Sequence, residues 1–346
     1  MDNFQRLTDI NNRRAIALWL LICCVTIFAM VILGGVTRLT GSGLSMVEWE
    51  PLMGILPPLN HSEWAAVFHE YQQYPEYKFK NFQMTLEEFK MIFWFEYAHR
   101  LLGRAIGLIF LLPLVYFIIK GKIEKPLIPK LMTLFILGGL QGALGWYMVK
   151  SGLVDNPHVS QYRLTAHLGL AIVIYGYLFW VALDLLFPIT PVSSTVLRQL
   201  RRFSLTVTGL IFITILSGGF VAGLKAGFVY NTFPLMDGRW IPEGLFRMEP
   251  LWHNFFENVT TVQFNHRLLA TVLFLLIPTL WWVARRVTLP YRTRWGINIL
   301  LVILGIQITL GISTLLLQVP VTLAAAHQAG ALALLTGALF VSHELH

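Results

Sequence analysis

Four histidines stand inside long apolar stretches of this chain, away from the chain end: His99, His167, His266 and His327. An ionisable side chain within a membrane span is costly, which makes each a functional-site candidate by default. Each falls in an even-numbered apolar stretch, about four to eight residues past its start, or roughly 6–12 Å below the interface at about 1.5 Å per residue. Four imidazoles therefore form one layer near one face of a bilayer. Structural zinc usually recruits thiolates or carboxylates, and the layer offers only Glu96 besides imidazole. A haem iron gripped by two axial imidazoles, one from each of two helices, fits better, and the chain has two such pairs.

The elements that must carry these residues are membrane helices. Of 346 residues, 56% are hydrophobic and 13% charged, too apolar for an ordinary soluble fold. About 20 apolar residues cross the hydrocarbon core, and eight stretches qualify, near 15–36, 91–119, 131–150, 163–187, 204–222, 261–284, 295–317 and 321–343. The net charge of +8 does not point to nucleic acid, because the basic residues cluster beside alternate membrane ends. Arg13 and Arg14, Lys120 to Lys130, Arg198 to Arg202 and Arg285 to Arg294 mark the cytoplasmic side. Both termini are then cytoplasmic, and the connections 37–90 and 223–260 face outward. The first apolar run is too long for a signal peptide and reads as a retained helix. A bacterial inner membrane is the simplest home. Cys23 and Cys24 fall inside the first span and read as small apolar filler.

The two halves repeat in the same order. Gly34-Gly35 answers Gly218-Gly219, His99-Arg100-Leu101-Leu102 answers His266-Arg267-Leu268-Leu269, Gln141 and Gly145 answer Gln307 and Gly311, and His167 answers His327. Each unit holds an even number of spans, so both copies enter the membrane from the same side. The expected fold is an all-α integral membrane protein of eight transmembrane helices. They form two parallel-repeat four-helix bundles related by a pseudo-twofold along the membrane normal, with halves at 1–190 and 191–346.

One position distinguishes the halves. Three residues before the first histidine of each pair, one half has Glu96 and the other Gln263. Glu96 shares a helix face with His99, which suggests that one half does chemistry while the other holds a cofactor. Glycines on the third and seventh spans leave room for a macrocycle or serve close helix packing. Arg100, Arg104, Arg163 and Arg267 lie near the outer helix ends, where they could pair with propionates or reach lipid headgroups.

These residues resemble the haem A synthase family, membrane enzymes that convert haem O to haem A for terminal oxidases. The resemblance covers nearly the whole chain. It rests on Gly34-Gly35-Val-Thr-Arg-Leu-Thr-Gly-Ser-Gly43, Glu96-x-x-His99-Arg100, Leu140-Gln141-Gly-Ala-Leu-Gly145-Trp146, Thr165-Ala166-His167-Leu168, Asn265-His266-Arg267 and Ala326-His327-Gln328. It implies that His266 and His327 hold a permanent haem b, and that His99 and His167 frame the substrate haem O beside Glu96. It also implies oxidation of a ring methyl through a hydroxymethyl stage to a formyl group. Outward-loop cysteine pairs found in some members are absent here, so the chain looks like the branch shared by proteobacteria and mitochondria.

The rival reading is a bis-histidine di-haem electron-transfer cytochrome, which has no evident need for the Glu96/Gln263 difference; a haem exporter or chaperone is a third. Expected partners are haem O and the lipid bilayer. Haem O synthase, an electron donor and a second copy of the chain are further candidates.

Overall fold

The computed structural model describes residues 3–47, 56–153, 158–187 and 194–346. The expected boundary between halves, at 190/191, lies outside the described residues. Among these residues ten α-helices follow one another: α1 (Asn3–Leu39), α2 (His61–Tyr71), α3 (Pro75–Phe79), α4 (Leu86–Ile119), α5 (Ile128–Gly152), α6 (Gln161–Leu186), α7 (Thr195–Gly223), α8 (Val259–Ala284), α9 (Tyr291–Leu316) and α10 (Val321–Glu344). Among the described residues there is no strand. Eight helices, α1 and α4 to α10, are long and apolar enough to cross a membrane. Their outward faces carry residues such as Leu18, Val25, Leu108, Leu112, Val302 and Ile306, as the lipid-facing side of a multi-pass membrane protein requires.

Several helices outrun their expected spans. α7 begins at Thr195 rather than near 204 and α9 at Tyr291 rather than near 295, so Arg198, Arg201, Arg202, Arg292 and Arg294 lie on helices, not in connections. Arginine is a good helix former, and its long stem lets the charged head leave the apolar layer. α4 likewise starts at Leu86, fixed by a capping box between Thr85 and Glu88, which satisfies orphan N–H groups of the first turn. The two short helices α2 and α3, which hydropathy alone did not indicate, pack over this extension through Trp64, Tyr71, Phe89 and Phe93.

α1, α4, α5 and α6 contact one another in a ring, as do α7, α8, α9 and α10; the rings meet where α1 packs on α10, and α6 on α7 and α10. Small residues allow the close approaches. A Cβ on Gly223 of α7 would stand 2.7 Å from the Cα of Gln161 at the start of α6. Hydroxyls join helices within the apolar core: Tyr175 to Thr336 (2.8 Å), and Ser204 to Ser342 (2.8 Å), the kind of interhelical bond that membrane bundles use.

The cap formed by α2 and α3 buries one carboxyl. Glu76 of α3 is only 5% exposed; the Tyr71 hydroxyl donates to it at 3.3 Å, and Asn81 donates to Tyr71 at 2.7 Å. Burial raises its pKa to about 7, with Glu96 adding to the rise and Lys80 and the Tyr71 hydrogen bond opposing it. The folded state thus holds the proton more tightly than the unfolded chain, so stability is lost as pH climbs from the ordinary carboxyl range through about 7. Between pH 5.5 and 8 the expected loss is on the order of 2 kcal/mol. Hydrogen-exchange protection factors in α2 and α3, corrected for the intrinsic pH dependence of exchange, should be higher at pH 5.5 than at pH 8, and Glu76→Gln should flatten that difference. An unchanged pH dependence in the variant would assign it to another group.

Candidate functional site

All four intramembrane histidines line one cavity of about 2100 Å³, more than twice the upper end of the ~300–1,000 Å³ typical of a single small-ligand pocket. His99 comes from α4, His167 from α6, His266 from α8 and His327 from α10. Within each pair the rings lie within electrostatic reach of one another.

Each ring is seated against a glycine of a neighbouring helix. A Cβ on Gly34 of α1 would lie 3.0 Å from Nε2 of His99, and one on Gly145 of α5 would lie 2.9 Å from Cε1 of His167. A Cβ on Gly218 of α7 would lie 3.2 Å from Cε1 of His266, and one on Gly311 of α9 would lie 2.8 Å from Cε1 of His327. Of the glycines on the third and seventh spans expected to leave room for a macrocycle or close packing, Gly145 and Gly311 leave room for the imidazoles themselves, whereas a Cβ on Gly138, Gly139, Gly142 or Gly305 would meet nothing within 4 Å. The missing side chains of Gly34, Gly145, Gly218 and Gly311 fix where the rings can sit.

Hydrogen bonds recur between the pairs. Gln141 Nε2 donates to the carbonyl of His167 and Gln307 Nε2 to that of His327, both at 3.0 Å. Ser217 Oγ lies 2.7 Å from Nδ1 of His266. Nδ1 of His167 and of His327 are buried without a protein partner, and such an atom costs about 1–3 kcal/mol. Among the described residues no three His, Cys, Asp or Glu converge as a bare metal ion would require. Paired, glycine-seated imidazoles on the wall of a large apolar cavity suit a flat metallomacrocycle with two axial positions.

The residues around the distinguishing position form two clamps of opposite polarity. Glu96, 3% exposed, accepts four hydrogen bonds. Two come to Oε1 from Arg100, from Nη2 at 2.6 Å and Nε at 3.1 Å, and two to Oε2, from Ser45 Oγ and the Met46 N–H, both at 2.8 Å. Arg100 Nη2 also donates to the Met46 carbonyl at 2.7 Å. Gln263 instead donates, from Nε2 to the carbonyls of Ala226 (2.9 Å) and Tyr230 (3.3 Å), while Arg267 donates to those of Tyr230 (2.7 Å) and Thr232 (2.8 Å). In both cases the side chain fastens a segment that follows the preceding membrane-spanning helix, α1 for Glu96 and α7 for Gln263. Glu96 and Gln263 have similar size but are not interchangeable. A carboxylate accepts from all four donors around Glu96, whereas an amide would turn its own N–H₂ toward two of them.

Glu96, Arg100, Arg104 and Arg267 line the cavity. Arg163 does not; its guanidinium lies 4.6 Å over the Tyr147 ring. Sequence reasoning did not single out Ser217 or Glu76, whose isolated residue types carry no signal. Nor did it single out Arg38, which it passed over inside the Gly34–Gly43 motif.

The family model described as cytochrome oxidase assembly protein, COX15-CtaA, matches residues 17–339. A "Heme A synthase" of Nitrosospira multiformis is 60% identical over 334 residues, covering 96% of this chain and 94% of the relative. Another from Nitrosomonas eutropha is 55% identical with 96% and 94% coverage. The human "Heme A synthase COX15" is 51% identical over 96% of this chain and 83% of its own length. With the paired histidines and the motifs all inside the matched span, the chain belongs to the COX15-CtaA family of cytochrome oxidase assembly proteins.

Proposed function

We propose that this chain is a haem A synthase, a membrane oxidoreductase that converts a ring methyl of haem O through a hydroxymethyl stage to the formyl group of haem A. The observation that carries the reading is the pairing of four glycine-seated imidazoles on one cavity, with a carboxylate clamp beside only one pair. Relatives bearing the name of that enzyme support it over nearly the full length. The two helix rings are read as copies of one four-helix unit, 1–190 and 191–346, related by a pseudo-twofold along the membrane normal. Matching glycine contacts and clamps favour that reading.

In this proposal His99 and His167 hold haem O, and His266 and His327 hold haem b, which when bound supplies one-electron transfer. The protein's part is orientation. Gly34 and Gly145 fix the ring positions of the substrate ligands, Gln141 ties α5 to α6 at His167, and the Glu96–Arg100 clamp holds the Ser45–Met46 segment over the site. Glu96, on the cavity wall beside His99, acts here by stabilising positive charge that develops at the oxidised methyl carbon. The wider proposal places both termini in the cytoplasm and the chain in a bacterial inner membrane. It adds haem O synthase, an electron donor and a second copy of the chain as partners.

Removing an axial imidazole opens a coordination position and a cavity, so His266→Ala or His327→Ala should lower haem b per chain. His99→Ala or His167→Ala should keep haem b and abolish haem A. Haem extraction and chromatography read both, and undiminished haem b in both of the first two variants would place the permanent site elsewhere. Gly311→Ala, which crowds His327, should also reduce haem b, whereas Gly209→Ala, where a Cβ meets nothing within 4 Å, should not; equal haem b in the two would deny the seat a role. Glu96→Gln should accumulate haem O or the hydroxymethyl intermediate and lower haem A about tenfold or more, as loss of one preorganised electrostatic contact does, with haem b retained. Near-normal haem A from that variant would remove Glu96 from the chemistry.

A further inference from the structure

Above the His99–His167 pair the cavity wall turns basic. Arg38 lies one helical turn beyond Gly34, on the α1 face that seats His99. It lines the cavity, and its side chain has no hydrogen-bond or ion-pair partner among the described residues. Lys225, just past the end of α7, lines the same cavity and likewise has no side-chain partner there. It reaches this half because the end of α7 packs on the start of α6, where Gly223 meets Gln161. Lys80 of the α2–α3 cap and His158, ahead of α6, complete the group. The four are electrostatic neighbours: after burial, Lys80, Lys225 and Arg38 together lower the pKa of His158.

By contrast, Arg100 and Arg267 spend hydrogen bonds on Glu96 and on backbone carbonyls. The other half has no equivalent of Arg38, because the residue one turn beyond Gly218 is Ala222. The side chains of Arg38 and Lys225 have no carboxyl partner among the described residues, where the acidic residues lining the cavity are Glu76 and Glu96. Glu96 is enclosed by its clamp, and Glu76 lies in the cap beside Lys80.

Resting on the proposed placement of haem O between His99 and His167, we infer that Arg38 and Lys225, flanked by Lys80 and His158, form the carboxylate-binding site that takes the propionates of the substrate tetrapyrrole. The site would set which way the macrocycle enters and hence which ring edge is presented for oxidation. Arg38 offers a planar fork suited to a carboxylate, and Lys225 offers a point charge.

The test uses full-length protein carrying haem b and produced without haem O. It is titrated in detergent with haem O and with haem O whose two propionates are methyl esters, and bis-imidazole absorbance is followed. Wild type should bind the free acid about tenfold or more tightly than the diester, since charge-assisted hydrogen bonds are lost on esterification. Arg38→Gln and Lys225→Gln should each weaken free-acid binding and leave diester binding and haem b content unchanged, and Arg38→Lys should restore part of the preference. Haem O bound without preference for the acid, or variants that weaken acid and diester equally, would overturn the anchor alone. Failure of wild type to bind either form would overturn the anchor together with the placement of haem O.

Discussion

An imidazole pressed against a glycine is the contact on which the architecture depends. A histidine in the apolar layer is tolerable only if its ring has a fixed place and a use for its nitrogens, and here the place is made by omitting a side chain from the neighbouring helix. Four such contacts, between α1 and α4, α5 and α6, α7 and α8, and α9 and α10, set the helix spacings. Any β-carbon at Gly145 or Gly311 would come within 3 Å of a ring atom, so ring position and helix separation cannot vary independently.

Around those contacts the two helix rings differ in polarity. The clamp on the segment after α1 accepts and that on the segment after α7 donates, because Glu96 faces Ser45 Oγ and the Met46 N–H while Gln263 faces two carbonyls. Arg38 has Ala222 as its counterpart. One end of a common cavity thereby gains charge that the other lacks. That is the division of labour expected when one macrocycle is to be transformed and the other kept.

Much of this was legible in the sequence. The eight spans follow from apolar runs too long for any other use, and the histidines stand out because ionisable residues there are rare. The Glu96/Gln263 contrast appears once the halves are aligned by His99-Arg100 and His266-Arg267. What the sequence concealed depends on long-range packing. The glycines were visible as repeated motifs, but their partners were not, since Gly34 meets a ring 65 residues away. α2 and α3 lack the length to register in hydropathy, and their docking on Phe89 and Phe93 is a tertiary event. The direction of the Glu96 clamp required knowing which atoms of the Ser45–Met46 segment point inward.

The central claim is that one half keeps its macrocycle and the other turns one over. The most direct measurement is quantitative haem extraction and mass analysis of protein produced with and without a source of haem O. The account predicts constant haem b per chain in both preparations, with haem O, the hydroxymethyl intermediate and haem A only in the first. Two equal complements of a single haem in both preparations, as a di-haem electron carrier would hold, would contradict it.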